Sequence, residues 1–144
     1  MNYFKKIQKR VNDYRESKYL SDDPLVADLQ KALELDRVLE NLDERKLYSK
    51  DESVFEGGIA GPVCFPITTF EVQTIMKIAE KHNRHVIPRG AGSGLAGGAI
   101  PLGAPIVIAM TKMNNVLEVD IENRIAWVEP GAVSYTHLTL PTNA

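Results

Sequence analysis

The sequence predicts an α+β fold, with a small parallel unit beside the start of an antiparallel one and helices before both. The parallel unit comprises a short apolar strand at 63–65, a helix at 68–83 and a strand at 84–87, because strand–helix–strand crossovers make parallel, right-handed pairs. Three later β-type segments with short connections predict an antiparallel meander. Those segments are 106–110, 116–120 and 125–128.

Three helices are predicted ahead of the first strand, at 3–19, 24–35 and 41–48. The first has an apolar face at helical spacing and a basic opposite face. Its apolar residues are Phe4, Ile7, Val11 and Tyr14. We favour a helix that packs on its own protein with its basic face in solvent; the alternative is an anionic membrane surface or an acidic partner.

Local patterns set the predicted helix ends. An Asp-Pro pair marks the start of the second helix, and Asn-x-x-Glu and Thr-x-x-Glu capping boxes mark the next two starts. An asparagine suits the left-handed position after helix 68–83, whose apolar face holds four residues. These residues are Asp23-Pro24, Asn41 with Glu44, Thr68 with Glu71, Asn83, and the apolar Val72, Ile75, Met76 and Ala79.

Composition narrows the functions open to this chain. Its 144 residues are 44% hydrophobic with a net charge of −2, which is typical of one globular domain and gives no reason to expect nucleic acid binding. No apolar run approaches the ~20 residues of a membrane span, and no secretory or transit segment is apparent, so we expect no transmembrane segment and a cytoplasmic location.

Side chains with redox or metal-binding chemistry are few. The single cysteine, Cys64, lies in an apolar run and is interpreted as a buried hydrophobe. His82 and His85 lack metal-type neighbours and are interpreted as solvated, so no metal site is predicted. Trp127 is interpreted as a core residue rather than a stacking partner for a cofactor.

The segment 88–98 dominates the functional analysis. Five of the ten glycines lie within residues 90–98. Glycine leaves backbone N–H groups unhindered and allows positive φ, and successive N–H groups that face one concavity bind anions, phosphate above all. Arg89 adds a permanently charged fork that either contacts phosphate or pairs with a structural carboxylate. The segment therefore predicts a diphosphate-binding loop.

Two common phosphate loops are excluded. Gly92, Gly94 and Gly97 have the spacing of the dinucleotide fingerprint, but that fingerprint must open a helix. Pro101 and Pro105 lie where the first helical turns would be, and proline breaks them. No Gly-Lys-Ser/Thr follows, which excludes a P-loop. We predict a glycine-rich loop that connects strand to strand.

The loop and its flanking segments resemble a known family. Pro-Arg-Gly-Ala-Gly-Ser-Gly-Leu-Ala-Gly-Gly at 88–98 is similar to the pyrophosphate loop of PCMH-type FAD-binding flavoproteins of the vanillyl-alcohol oxidase superfamily. The most similar branch contains glycolate oxidase and D-lactate dehydrogenase. Matching blocks occur in the family's order over residues 36–133. They are 48–53, 62–68, 113–120 and 128–131.

The resemblance implies FAD bound between two subdomains, in a parent enzyme that oxidises a 2-hydroxy acid such as glycolate or D-lactate by hydride transfer. Ser93, where covalent flavoproteins of the family often carry histidine, implies non-covalent FAD. Gly131 would approach the cofactor or form a plain turn. The residues implied in cofactor binding are Pro88, Arg89, Gly90, Ala91, Gly92, Ser93, Gly94, Leu95, Gly97, Gly98, Pro130 and Gly131.

The catalytic base and any metal site would belong to a C-terminal domain of the family, so no catalytic residue is named and the chain alone is expected to be inactive. The electron acceptor would be a partner protein or a quinone. Two alternatives stay open: a non-catalytic FAD-binding or assembly subunit, and another reaction of the superfamily, such as ether-lipid synthesis or lactone oxidation.

The resemblance to the family divides the chain into three parts. Residues 1–35 would form an N-terminal helical extension, and residues 36–133 would form the first part of the FAD-binding domain. Residues 134–144 form the third part. The last segment has no periodicity, departs from the family pattern and resembles a vector-derived ending. We expect it to contribute nothing to the fold.

Deletion of residues 134–144 should therefore leave the thermal unfolding midpoint unchanged. A fall of several degrees, which corresponds to ~1 kcal/mol in a domain of this size, would show that the segment stabilises the fold. Circular dichroism melts of the two chains measure this directly.

Overall fold

The computed structural model describes residues 3–16, 20 and 22–133. The helices are α1 (Tyr3–Glu16), α2 (Pro24–Leu33), α3 (Leu42–Lys46) and α4 (Thr69–Lys81). The strands are β1 (Val38–Leu39), β2 (Val63–Cys64), β3 (Val86–Arg89), β4 (Ile106–Ala109), β5 (Val116–Asp120) and β6 (Ile125–Val128). Single 3-10 turns at Leu35–Arg37 and Met110–Lys112 precede β1 and follow β4. The α+β class is confirmed; the predicted tail, 134–144, lies outside the described residues.

The sheets differ from the prediction in the position of β4 and in the presence of β1, a strand that was not predicted. Four strands form one sheet in the order β1-β2-β4-β3, and β5 pairs with β6 in a separate antiparallel sheet. Since β4 runs parallel to both β2 and β3, the predicted three-stranded meander is wrong. All four β4 residues are buried. A strand covered on both faces of a parallel sheet is apolar throughout, and the Ile-Val-Ile-Ala sequence of β4 has that character.

The connection from β3 to β4 is unusual. These strands are adjacent and parallel, so residues 90–105 must run back along the length of β3, to the end where β3 begins, before β4 can start. They do so without a helix, which confirms the predicted strand-to-strand loop. The crossover from β2 through α4 to β3 skips one position, and β4 fills it.

The main core lies between the four-stranded sheet and the helices α2 and α4. The α2 residues Leu25, Val26, Leu29 and Leu33 are fully buried and pack with residues of α4 and β4 in one cluster. The helix α2 thus shares the core of the parallel sheet. In α4, Ile75 and Ala79 are buried as expected, but Met76 is 49% exposed, because its helix position faces away from the core.

Most predicted caps form as expected. The Asp23 side chain accepts from the Leu25 N–H, and Asn41 caps α3 by accepting from the Asp43 N–H rather than through the predicted box with Glu44. The Thr68 hydroxyl accepts from the Glu71 N–H at 3.2 Å. The Glu71 carboxylate accepts from the Ile67 N–H and from Arg37, both at 2.7 Å, which ties α4 to the segment before β1. Asn83 adopts the expected left-handed conformation, with φ of 49°.

Helix α1 carries half-buried and exposed faces. Ile7 and Val11 are half-buried, and Ile7 lies beside Gly103, which supports packing of this part of the helix on its own protein, whereas Phe4, predicted on the same apolar face, is 77% exposed. Lys5, Lys6 and Lys9 are exposed. Among the described residues, no helix has both the length and the apolar character needed to cross a membrane.

Ion pairs join α2 to the end of α4. Both Lys81 Nζ and His82 Nε2 lie 2.7 Å from Asp28 Oδ2, and Arg84 contacts Asp23 at 2.6 Å. The interpretation of His82 as a solvated residue is therefore wrong: its side chain is only 19% exposed and faces a carboxylate. His85 is exposed.

This cluster predicts acid sensitivity. Hydrogen bonds from Lys81 and then His82 lower the pKa of Asp28 to about 2. Since that lies below the ordinary aspartate value of about 3.9, the contact stabilises the fold above pH 4, and its contribution is lost as the pH falls towards 2. We expect the thermal midpoint of the wild type to fall further than that of Asp28→Asn between pH 5 and pH 2.5. Parallel pH profiles of the two proteins would contradict this.

The β5–β6 hairpin is poorly covered. Trp127 is 49% exposed, so its interpretation as a core residue is wrong. An isolated two-stranded ribbon is at best marginally stable in water. Its other exposed apolar residues are Leu117, Val119, Ile125 and Val128, with Ile121 in the turn.

Candidate phosphate-binding site

The predicted loop begins at the carboxyl end of β3, which is where open parallel sheets usually bind ligands. The strand begins and ends two residues later than predicted, so Pro88 and Arg89 belong to β3 rather than to the loop. Pro88 is tolerated because β3 is an edge strand, where a missing N–H breaks no ladder. Within the loop, Ala91, Ser93 and Leu95 are exposed.

The loop presents a row of open donors. In the described part of the chain, none of the N–H groups of residues 91–98 donates a hydrogen bond to a protein acceptor. The next N–H along the chain, that of Ala99, does have one, at 3.4 Å from Asp51 Oδ2. Backbone donors need solvent or a ligand when the protein gives them no partner, and a run of them suits an anion.

The glycines fall into two groups. Gly92 and Gly97 have φ of 84° and 77°, so the loop's path requires glycine there. Gly90, Gly94 and Gly98 do not have a positive φ, and a Cβ at any of them would meet nothing within 4 Å. A side chain added at any of these three positions would therefore enter open space, which leaves room for a ligand there. The loop therefore fits the diphosphate of a dinucleotide.

Arg89 lies beneath the loop. Its side chain is only 9% exposed, its Nη1 donates to the Lys50 carbonyl at 2.6 Å, and its Cζ lies 5.4 Å from the centre of the Tyr48 ring. No carboxylate of the described residues forms an ion pair with it, so the pairing with a structural carboxylate is not observed. A buried cation without a counter-charge is costly, which favours an anionic ligand nearby.

Segment 48–55 supports the loop and was not assigned a role from the sequence. The Glu52 N–H donates to the Gly92 carbonyl at 3.2 Å, and the Phe55 ring lies directly against Gly97. Asp51 is buried and accepts from the Ser53 N–H at 3.0 Å. Hydrogen bonds, chiefly from the Ser53 side chain, hold the pKa of Asp51 below its usual range. An aspartate two residues before a serine is a local turn signal that was available in the sequence.

Residues 130–131 lie at the same sheet edge as the loop. The Gly131 N–H donates to the Met113 carbonyl at 2.8 Å, and any Cβ on Gly131 would overlap the Met110 carbonyl oxygen. Met110 follows Ala109, which pairs with Arg89 across the sheet. Both predicted segments therefore lie beyond the carboxyl ends of the adjacent strands β3 and β4. Close packing on its own chain already requires glycine at 131, and cofactor contact there remains a prediction.

A second concave region has the wrong charge for a diphosphate. A groove of about 820 Å³ lies beside α3 and β1. Its lining includes four acidic residues, Asp36, Glu40, Asp43 and Glu44. Among the described residues, no group of three or more His, Cys, Asp or Glu side chains is placed to hold a metal ion.

The α+β fold and the glycine loop after β3 are typical of an FAD-binding module of the PCMH type, and comparison with known proteins agrees. A family model described as an FAD binding domain matches residues 60–136, and the chain belongs to that family, with FAD as its cofactor. Among solved structures, p-cresol methylhydroxylase superposes with a TM-score of 0.69 at 25% identity, over 78% of this chain and 22% of that one.

Curated relatives are longer proteins. Glycolate oxidase subunit GlcD of Bacillus subtilis is 34% identical over 99 residues, which is 66% of this chain and 21% of the relative. D-2-hydroxyglutarate dehydrogenase of Stutzerimonas stutzeri is 28% identical over 115 residues, covering 80% and 25%. D-lactate dehydrogenase of Anaerostipes hadrus is 33% identical over 98 residues, covering 67% and 21%. The chain therefore spans a quarter or less of these relatives.

Proposed function

We propose that the loop 90–98 binds the diphosphate of non-covalent FAD, and that this chain is the first part of the flavin domain of a 2-hydroxy-acid oxidase or dehydrogenase. The observation that carries the proposal is the row of N–H groups of residues 91–98, which have no protein acceptor in the described part of the chain. The buried Arg89, without a carboxylate partner among those residues, adds positive charge beneath them. FAD, when bound, supplies the hydride acceptor.

The substrate class is supported by the relatives' names. Glycolate, D-lactate and D-2-hydroxyglutarate all carry a hydroxyl on the carbon next to a carboxylate. We assign no catalytic base among the described residues, so we expect oxidation to require the longer protein. Electrons would then leave the reduced flavin for a partner protein or a quinone.

Ser93 supports non-covalent attachment, because a serine hydroxyl cannot form the histidyl–flavin bond that the family resemblance would place at this position. We expect acid precipitation of the loaded protein to leave all of the FAD in the supernatant. Flavin fluorescence that stays with the precipitated chain after washing would contradict this.

Turnover separates the proposal from its alternatives. The 144-residue chain is expected to bind FAD weakly and to reduce no dye with glycolate or D-lactate, whereas a longer protein that contains it should do so. Turnover by the short chain would place catalytic residues among those assigned here to structure. A longer, FAD-loaded protein that is inactive on all three 2-hydroxy acids would favour ether-lipid synthesis, lactone oxidation or a non-catalytic subunit.

A further inference from the structure

We propose that Arg89 is a positioning residue, which holds the glycine loop from its protein side instead of contacting the diphosphate as a fork. The proposal rests on the diphosphate-binding role of the loop proposed above. It concerns one contact, between the guanidinium of Arg89 and the backbone of Gly92.

The guanidinium is itself fixed on two sides. Its Nη1 donates to the Lys50 carbonyl at 2.6 Å, and its Cζ lies 5.4 Å from the centre of the Tyr48 ring. Tyr48 is in turn packed edge-on against Phe65, with ring centroids 5.7 Å apart. A buried arginine whose guanidinium is held by a carbonyl and an aromatic face has little freedom to swing out to a ligand.

Gly92 rests on this guanidinium. A Cβ on Gly92 would overlap Arg89 Nη2 and would lie 2.5 Å from Cζ, so the two groups are already in contact. The Gly92 carbonyl receives the Glu52 N–H at 3.2 Å. Gly92 is therefore clamped at its Cα and at its carbonyl in the left-handed conformation, with φ of 84°. This clamp sets the direction of the N–H groups that follow it.

The planar shape of the guanidinium matters as much as its charge. A lysine at 89 would keep the charge but offer a point ammonium on a flexible stem in place of a flat group that fits between Tyr48 and Gly92. A residue that acted only as a positive charge would tolerate this change, whereas a positioning residue would not.

A double-mutant cycle on thermal stability tests the contact without any ligand. In the wild type, Gly92→Ala introduces both left-handed strain and overlap with Arg89, and in the Arg89→Ala background only the strain remains. We expect Gly92→Ala to lower the midpoint at least twice as far in the wild type. Gly97→Ala is the matched control, because Gly97 has φ of 77° but faces Phe55. It should lower the midpoint equally in both backgrounds. Additive effects at position 92 would overturn the proposal.

Flavin binding gives the second readout, measured by fluorescence quenching. Arg89→Ala and Arg89→Lys should each weaken FAD binding at least tenfold and leave riboflavin, which has no phosphate, unchanged. Full FAD affinity in Arg89→Lys would show that charge alone suffices, and an equal loss for riboflavin would indicate a general folding defect; either would overturn the proposal. Equal affinity of the wild type for FAD and riboflavin would instead refute the diphosphate role of the loop, while the thermal cycle would still decide the role of Arg89.

Discussion

Gly94→Val is expected to weaken FAD binding at least 100-fold while leaving the thermal midpoint unchanged. Gly94 has no positive φ, and a Cβ built on it meets nothing within 4 Å, so we expect the folded chain to tolerate a side chain at this position. The added isopropyl group would occupy the open space beside N–H groups that have no protein acceptor in the described part of the chain. Fluorescence quenching and a thermal melt of the same sample measure both effects.

Two further variants serve as controls for Gly94→Val. Ala126→Val also produces valine, on the exposed strand β6, which favours β-branched residues, and should change neither quantity. Gly92→Val should lose both FAD and stability, because valine resists a φ of 84° and overlaps Arg89. Wild-type FAD affinity in Gly94→Val would refute the assignment of the open side of the loop to the cofactor.

Leu29→Ala is expected to lower the free energy of unfolding by about 2–5 kcal/mol, the usual range for a buried leucine. Leu29 is fully buried in α2 and belongs to the cluster that includes Ile75, Ile106 and Ile108. In a domain of this size the loss corresponds to a fall of roughly 10 °C in midpoint. We expect this large loss of stability because α2 covers one face of the parallel sheet that carries the loop.

The matched control is Leu117→Ala on the hairpin, where the leucine is 65% exposed. It should change stability by less than about 0.5 kcal/mol. Similar small effects for both variants would mean that α2 is a detachable extension. Loss of FAD binding in Leu29→Ala at temperatures where the protein is still folded would show, in addition, that α2 supports the loop.

Features that depend on near neighbours were predictable from the sequence. The cap at Thr68, the left-handed Asn83 and the strand-to-strand course of the glycine loop each follow from residues a few positions apart. The diphosphate role of the loop stays a prediction; it too rests on near neighbours, since the cluster of glycines in residues 90–98 exceeds what one turn needs.

Features that depend on distant parts of the chain were missed. The position of β4 between β2 and β3 was missed because the short connection from β4 to β5 suggested that these two strands pair. The unbroken apolar sequence of β4 did indicate burial on both faces. His82 faces Asp28, which lies 54 positions away. The place of Arg89 beneath the loop depends on Tyr48 and Lys50, and no local pattern connects them to it.

Trp127 illustrates a different limit. An aromatic residue in a predicted strand is usually covered, and the prediction applied that tendency. In this chain the β5–β6 ribbon pairs with no third strand among the described residues, and half of the indole surface stays exposed. Burial is a property of the surrounding fold, which the residue and its strand do not determine.

The most direct test of the central claim, that the N–H groups of residues 91–98 bind the FAD diphosphate, is an NMR titration of the ¹⁵N-labelled chain. FAD and inorganic pyrophosphate should both shift the backbone amide signals of these residues, and weak binding is sufficient for detection. Riboflavin should leave them in place, and Gly94→Val should abolish the shifts. If saturating FAD left these signals unmoved, or shifted instead those of the acidic groove around Asp36 and Glu40, the claim would be contradicted.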